Sequence, residues 1–340
     1  MNILQSIVLG IIQGITEFFP ISSSGHLVVF PYFFNWNYPP LYFTVTVHFA
    51  TLAAVVTVFY KEIFRIIRAV ILGIFLRKER SSGNFRLGIL LIIASIPAAA
   101  AGFFLDDYVE SLFSKPMAVA IFLLVTALFL WLGELRGKHI ESSITGSRNI
   151  RDYRERNLFD QEKENVKNNE NVKNNENEKD KDNERNKESK KNGPITDIEI
   201  EGSGRKKVRF NLPIAVMVGL GQAVAILPGV SRSGVTISFA RFFGVKRSEA
   251  VKFSFLLSIP VIFGSFIFEL YRSSNIIFGS NNLHAVQNLI SGFFSSYLAG
   301  LFAVKFIVYL TKKRNLNIFA VYCICLSAAV FIYFMIKKFI

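Results

Sequence analysis

The chain has 340 residues, 51% of them hydrophobic and 35 of them phenylalanine, with a mean hydropathy of +0.37. That excludes an ordinary soluble domain, which carries more charge and less phenylalanine. A net charge of +14 would suit a nucleic-acid binder, but Lys and Arg cluster between apolar stretches, as in the cytoplasmic loops of membrane proteins, so no nucleic acid is expected as a partner.

The first apolar stretch is interrupted by Gln13-Gly14-Ile15-Thr16-Glu17-Phe18-Phe19-Pro20-Ile21-Ser22-Ser23-Ser24-Gly25-His26. A carboxylate, three serines and an imidazole at membrane depth are costly and mark a functional site. Six further stretches, 41–60, 87–105, 116–133, 253–270, 284–304 and 318–336, approach or reach the roughly 20 residues that cross a bilayer. The fold class is therefore an all-α polytopic membrane protein with about six transmembrane helices. No cleavable leader is expected, because the first apolar run lacks a basic lead-in and holds the polar motif instead. Cys323 and Cys325 lie inside the last stretch at a spacing unsuited to a redox or zinc motif, which leaves packing.

Residues 135–209 break the pattern. Repeats such as Val166-Lys167-Asn168-Asn169-Glu170 and Val172-Lys173-Asn174-Asn175-Glu176 offer almost nothing apolar to bury. Such a segment cannot offset its ordering entropy and reads as a disordered cytoplasmic insert. A partner-binding tail is the alternative, with no motif behind it. The chain thus divides into a first half (1–134), the insert (135–209) and a second half (210–340).

A second polar run follows: Gln222-Ala223-Val224-Ala225-Ile226-Leu227-Pro228-Gly229-Val230-Ser231-Arg232-Ser233-Gly234-Val235-Thr236. Shifted by 209 positions (10 onto 219), it superposes Gly10 on Gly219, Gln13 on Gln222, Ser22 on Ser231, Ser24 on Ser233 and Gly25 on Gly234. Ser23 then faces Arg232, and Glu17 faces Ile226. The uncharged linker 35–40 belongs outside, the basic loop 61–86 inside, and the loop 106–115 with Asp106, Asp107 and Glu110 outside. On that topology the two motifs are the tips of two re-entrant helical hairpins, one entering from each side, each followed by three spans. This is an inverted-topology repeat, in which broken helices carry a site near mid-membrane. The plainer alternative is two ordinary spans kinked at Pro20 and Pro228.

The residues suit phosphoryl chemistry. Gln13 and Glu17, four apart, share a helix face. A carboxylate there can ligate a divalent cation such as Mg²⁺ or Ca²⁺, or orient an imidazole. Ser22, Ser23, Ser24 and Gly25 begin a helix, whose N-terminus favours anions, and Ser231, Ser233, Gly234 and Thr236 repeat that geometry around Arg232. The Arg232 fork suits phosphate oxygens. His26 can shuttle protons or attack phosphorus; alternatively Ser22 or Ser23 is the nucleophile with His26 as its base. Each residue also has a structural reading. The serines can bond back to their helices, Glu17 can merely neutralise Arg232, His26 can be a satisfied core histidine, and His48 can either line the site or pack.

The two runs resemble the signature motifs of the undecaprenyl-diphosphate phosphatase family, the bacitracin-resistance type of membrane phosphatase. The matches are Gln13 and Glu17 in the first motif, the His26 that follows its serines, and Pro228, Gly229, Ser231, Arg232, Ser233 and Thr236 in the second. The resemblance implies hydrolysis of a polyprenyl diphosphate, usually the C55 lipid, to the monophosphate carrier of peptidoglycan and other surface glycans, with bacitracin resistance as a consequence. It implies a divalent cation, a plasma-membrane location and a site open to the outer face, and it admits a homodimer. The roles carried over are Glu17 for metal or acid–base work, His26 for acid–base or nucleophilic work, Ser23 near the phosphate and Arg232 as phosphate clamp. Gln13 stands where many members have Glu, and the long insert is not a family feature. The competing class is a transporter or flippase for a phosphorylated lipid, since inverted repeats with broken helices are typical of transporters.

Overall fold

The structure, a computed structural model, describes residues 1–143, 210–272 and 283–339. The insert expected at 135–209 lies outside these residues except for its first few positions. Contacts gather Met1–Lys138 with Lys207–Ile340 into one compact unit; of the other, His139–Lys206, only the end of a helix is described.

Ten α-helices make up the described residues: α1 (Ile3–Thr16), α2 (Ser23–Phe34), α3 (Leu41–Phe75), α4 (Gly83–Leu112), α5 (Pro116–Ser143), α6 (Leu212–Val224), α7 (Arg232–Phe242), α8 (Arg247–Arg272), α9 (Leu283–Lys313) and α10 (Asn317–Phe339). Six of them, α3, α4, α5, α8, α9 and α10, are long and apolar enough to cross a membrane. The protein is thus an all-α multi-pass membrane protein. At 1.5 Å per residue, the 14, 12, 13 and 11 residues of α1, α2, α6 and α7 each fall well short of a hydrocarbon core of about 30 Å.

Several segments expected as loops are helical. α3 does not stop at residue 60; it kinks at Phe59 and runs on to Phe75 through Lys61, Arg65 and Arg68. The reason is amphipathicity: Ile66, Ala69 and Gly73 are buried while the basic residues stay exposed, and Phe85 of α4 packs on Gly73. α4 likewise continues to Leu112, and α5 passes residue 133 to reach Ser143. There Glu134, almost fully buried, takes two hydrogen bonds from the Arg247 fork, at 2.8 and 2.7 Å, which ties α5 to the start of α8.

The two halves pack crosswise. α1 lies along α9 of the other half, in parallel: Met1 is near Asn288, Gly10 near Gly292, Gly14 near Ala299 and Gly300, and Phe19 near Phe306. α6 lies against α4 in the same way, with Gly219 on the Ala94 backbone. Gly10 and Gly219, equivalent by the 209-residue shift, are both points of close backbone approach where a Cβ would collide. α2 follows α10 through His26–Tyr322, Phe33–Tyr333 and Asn35–Lys337. α7 follows α5 through Ser231–Thr126, Ser238–Gly133 and Arg241–Gly137. Each half therefore covers the long helices of the other. A large buried cluster including Phe18, Val55, Leu123, Ile237, Phe255 and Val304 runs through both halves, with Phe18 set edge-on to Phe255 at 5.3 Å. Cys323 is buried in α10, in keeping with packing, while Cys325 is exposed.

Candidate active site

The site forms where both short helix pairs break. α1 ends at Thr16 with Glu17 as its C-cap, and α2 starts after Ser22. The Ser22 hydroxyl accepts from the Gly25 amide at 3.2 Å. In the second half, the Ser231 hydroxyl accepts from the Gly234 amide at 3.1 Å. In each motif the next serine but one stands beside the cap, with Ser22–Ser24 and Ser231–Ser233 hydroxyl oxygens both 3.3 Å apart. Ser and Thr oxygens satisfy orphan amides at helix starts, so both motifs write the same local structure. The amides of Ser23, Ser24, Arg232 and Ser233 remain as the unsatisfied first N–H groups of α2 and α7.

The two starts touch. Ser233 donates to the Phe19 carbonyl at 3.3 Å, and Gly25 and Gly234 approach Gly229 and Pro20 of the opposite loops. Gly229 has φ +104°, and a Cβ there would meet the Val119 carbonyl, so the turn requires glycine. Thr126 of α5 braces this turn, donating to the Gly229 carbonyl at 3.0 Å and accepting from the Ser231 amide at 2.8 Å.

Glu17 is the hub. Arg232 donates a short charge-assisted hydrogen bond to its Oε1. Ser23 donates to Oε2 at 2.6 Å, and Gln13 Nε2 donates to the same oxygen at 2.8 Å. Glu17 is 6% exposed, so breaking this pair would leave an uncompensated buried charge, which typically costs about 3–5 kcal/mol. Gln13 is suited to this place in a way that a second carboxylate is not, because its amide donates. His48 of α3 sends its Nε2 to within 3.6 Å of Glu17 Oε2.

Of the sequence-predicted residues, Gln13, Glu17, Ser23 and Arg232 converge. His26 does not join them. Its Nδ1 donates to the Ser22 carbonyl at 2.6 Å, and its Nε2 is 2.8 Å from the Tyr322 hydroxyl, with the two rings stacked. A carbonyl only accepts, so Nδ1 carries the proton and Nε2 takes the Tyr322 hydrogen. The imidazole that Glu17 meets is thus His48, not His26. Thr236, expected on the phosphate, turns its hydroxyl to its own helix and to Ser254, at 2.7 Å. Tyr322, Thr126 and the placement of His48 were not legible in the motifs; an intramembrane histidine is the only signal that any of the three carries.

Beyond His26 opens an apolar cavity of about 820 Å³ between α1, α2, α9 and α10, lined among others by Ile15, Phe19, Phe30, Phe306 and Phe319, with Tyr322 in its wall. The cavity, suited to an apolar chain, reaches Thr16 and His26, the chain neighbourhood of Glu17 and Ser23, which do not line it themselves.

The model of the family described as bacitracin resistance protein BacA matches residues 6–159 and 187–329. The chain belongs to this family. Relatives named undecaprenyl-diphosphatase include one from Treponema denticola, 33% identical over 337 residues and covering 98% of each chain. Another, from Thermomicrobium roseum, is 32% identical and covers 96% of each. A third, from Desulforudis audaxviator, is 30% identical and covers 99% of this chain and 100% of its own. The BacA family match spans both motifs and five of the six long helices in full, and ends at residue 329 within α10.

Proposed function

We propose that this chain hydrolyses undecaprenyl diphosphate to undecaprenyl monophosphate and inorganic phosphate, returning the lipid carrier to cell-wall synthesis and countering bacitracin. The observation that carries the reading is the meeting of Ser23 and Glu17 from one motif with Arg232 from the other. Family membership and relatives named for this activity over nearly their whole length support it.

The terminal phosphate binds Arg232 and the amides that open α2 and α7. Its arrival draws the guanidinium from Glu17 to a phosphate oxygen, which frees the carboxylate. Ser23 Oγ then attacks the terminal phosphorus while Glu17 takes its proton. The bond to the bridging oxygen breaks, and the lipid monophosphate leaves with the electron pair. His26, whose Nε2 faces Tyr322 beside the apolar cavity, serves proton transfer on the lipid side. Glu17 passes its proton to solvent, takes another from an attacking water, and returns it to Ser23 as inorganic phosphate departs. Fixed donors of this kind contribute about 10²–10³ each to the rate.

A divalent cation fits beside Glu17, because the Gln13 Oε1 atom is buried and has no hydrogen-bond partner. Glu17 and Gln13 would hold it, with substrate phosphate oxygens completing its ligands. There it would supply charge against the transferring phosphoryl group.

The short α1–α2 and α6–α7 pairs act as re-entrant hairpins from opposite sides of the plasma membrane, with the site open to the outer face. Their lengths, their crossed packing and the basic 61–86 segment support this topology. A flippase would share the crossed repeat, but the Ser23–Glu17 hydrogen bond gives hydrolysis its nucleophile and base. The test is phosphate release from undecaprenyl diphosphate by the detergent-purified chain with Mg²⁺, Ca²⁺ or Mn²⁺. Release is expected, and none with any metal would overturn the reading.

A further inference from the structure

His48 belongs to neither motif, yet it reaches the hub. Its Nδ1 lies 2.8 Å from the Thr44 carbonyl one turn earlier in α3. A carbonyl can only accept, so Nδ1 carries a proton, and in the neutral imidazole Nε2 presents a lone pair. That lone pair faces Glu17 Oε2 at 3.6 Å with no donor on Nε2 among the described residues. Gln13 adds a third acceptor, since its buried Oε1 is unpartnered. Turning the Gln13 amide over, which gives up its hydrogen bond to Glu17, places that oxygen where the Gln13 nitrogen now stands, 2.8 Å from the same carboxylate oxygen. With the amide so turned, three electron-rich atoms gather around one point and call for positive charge. The two separations, 2.8 and 3.6 Å, lie either side of the about 3–3.5 Å between ligands that each sit about 2.1 Å from a shared ion. An imidazole whose other nitrogen donates to a backbone carbonyl is the usual setting of a metal-bound histidine.

We infer that His48 is a direct ligand of the divalent cation held at Glu17 and Gln13, and that it turns the site from a purely oxygen-lined one toward metals that accept nitrogen, such as Mn²⁺, in preference to Ca²⁺. The inference rests on the cation proposed above. Softer first-row ions take imidazole readily, whereas Ca²⁺ takes oxygen. The first motif lacks a second carboxylate because Gln13 stands there, and His48 restores a strong donor from a different helix.

The test uses the full chain in detergent, stripped with a chelator and loaded with Mn²⁺ without substrate, and read by pulsed electron paramagnetic resonance. Bound Mn²⁺ with coupling to one imidazole nitrogen is expected. His48→Gln should abolish that coupling and weaken Mn²⁺ about tenfold, while Ca²⁺ affinity holds or rises. Retained Mn²⁺ binding in this variant also reports a folded protein; where it is lost, His48→Asn with a melting curve carries the same readout. Mn²⁺ bound without nitrogen coupling in the wild type, coupling that survives loss of His48, or no Mn²⁺ bound at all would each overturn the inference. Phosphate release in Mg²⁺ reads the hydrolysis separately, so loss of one result does not imply loss of the other.

Discussion

The two broken helix pairs, α1–α2 and α6–α7, are the same device used twice for different ends. Both are capped by a serine three residues before a glycine, both keep a second serine beside the cap, and both set a glycine against a long helix of the other half. They differ where the chemistry lies. Glu17 has Ile226 as its counterpart, and Ser23 has Arg232. The shared positions build the frame, and in the proposed reaction the unshared ones divide the work: carboxylate and hydroxyl on one copy, guanidinium on the other. A single site thus needs both halves, and the Glu17–Arg232 pair is where they join.

The comparison breaks most visibly at its unshared positions. Glu17→Gln removes the base for Ser23 and the charged partner of Arg232, and should lower kcat for phosphate release about 10³-fold. Adding Ile226→Glu on the other copy should not restore it, since that carboxylate would face no serine. Arg232→Lys keeps the charge but loses the planar fork, and should cost about 10²-fold in the same assay. At the shared positions the two copies should respond alike, and in stability. Gly10→Val and Gly219→Val each force a side chain into a helix backbone, so each should cost about 1–3 kcal/mol in thermal unfolding. Ser231→Ala removes a cap and should cost about 1 kcal/mol. A large stability difference between the two glycine variants would show that the copies are not equivalent frames.

Much of this was legible in sequence for physical reasons. Long apolar stretches announce spans, and Pro20, Pro228 and the serines announce where helices stop. The repeat was readable because its polar residues are rare in such surroundings. The 61–75 segment was misread as loop because its charges outweigh a buried face of Ile66, Ala69 and Gly73 that only the fold defines. What sequence could not carry was the partnering across the chain. Glu17 meets Arg232 over 215 positions and His26 meets Tyr322 over 296, and neither pairing leaves a local periodicity. For the same reason the motifs did not show that His48, on another helix, lies 3.6 Å from the carboxylate while His26 bonds Ser22 and Tyr322.

The central claim is that the reaction runs from the hydroxyl on Glu17. Ser23 and Ser24 are neighbours in sequence, but Ser23 bonds the carboxylate and Ser24 bonds the cap. Phosphate release from undecaprenyl diphosphate by Ser23→Ala and Ser24→Ala, measured side by side, separates them. The account predicts a loss of about 10³-fold or more for Ser23→Ala and less than about tenfold for Ser24→Ala. Full activity in Ser23→Ala, or the larger loss in Ser24→Ala, would contradict it.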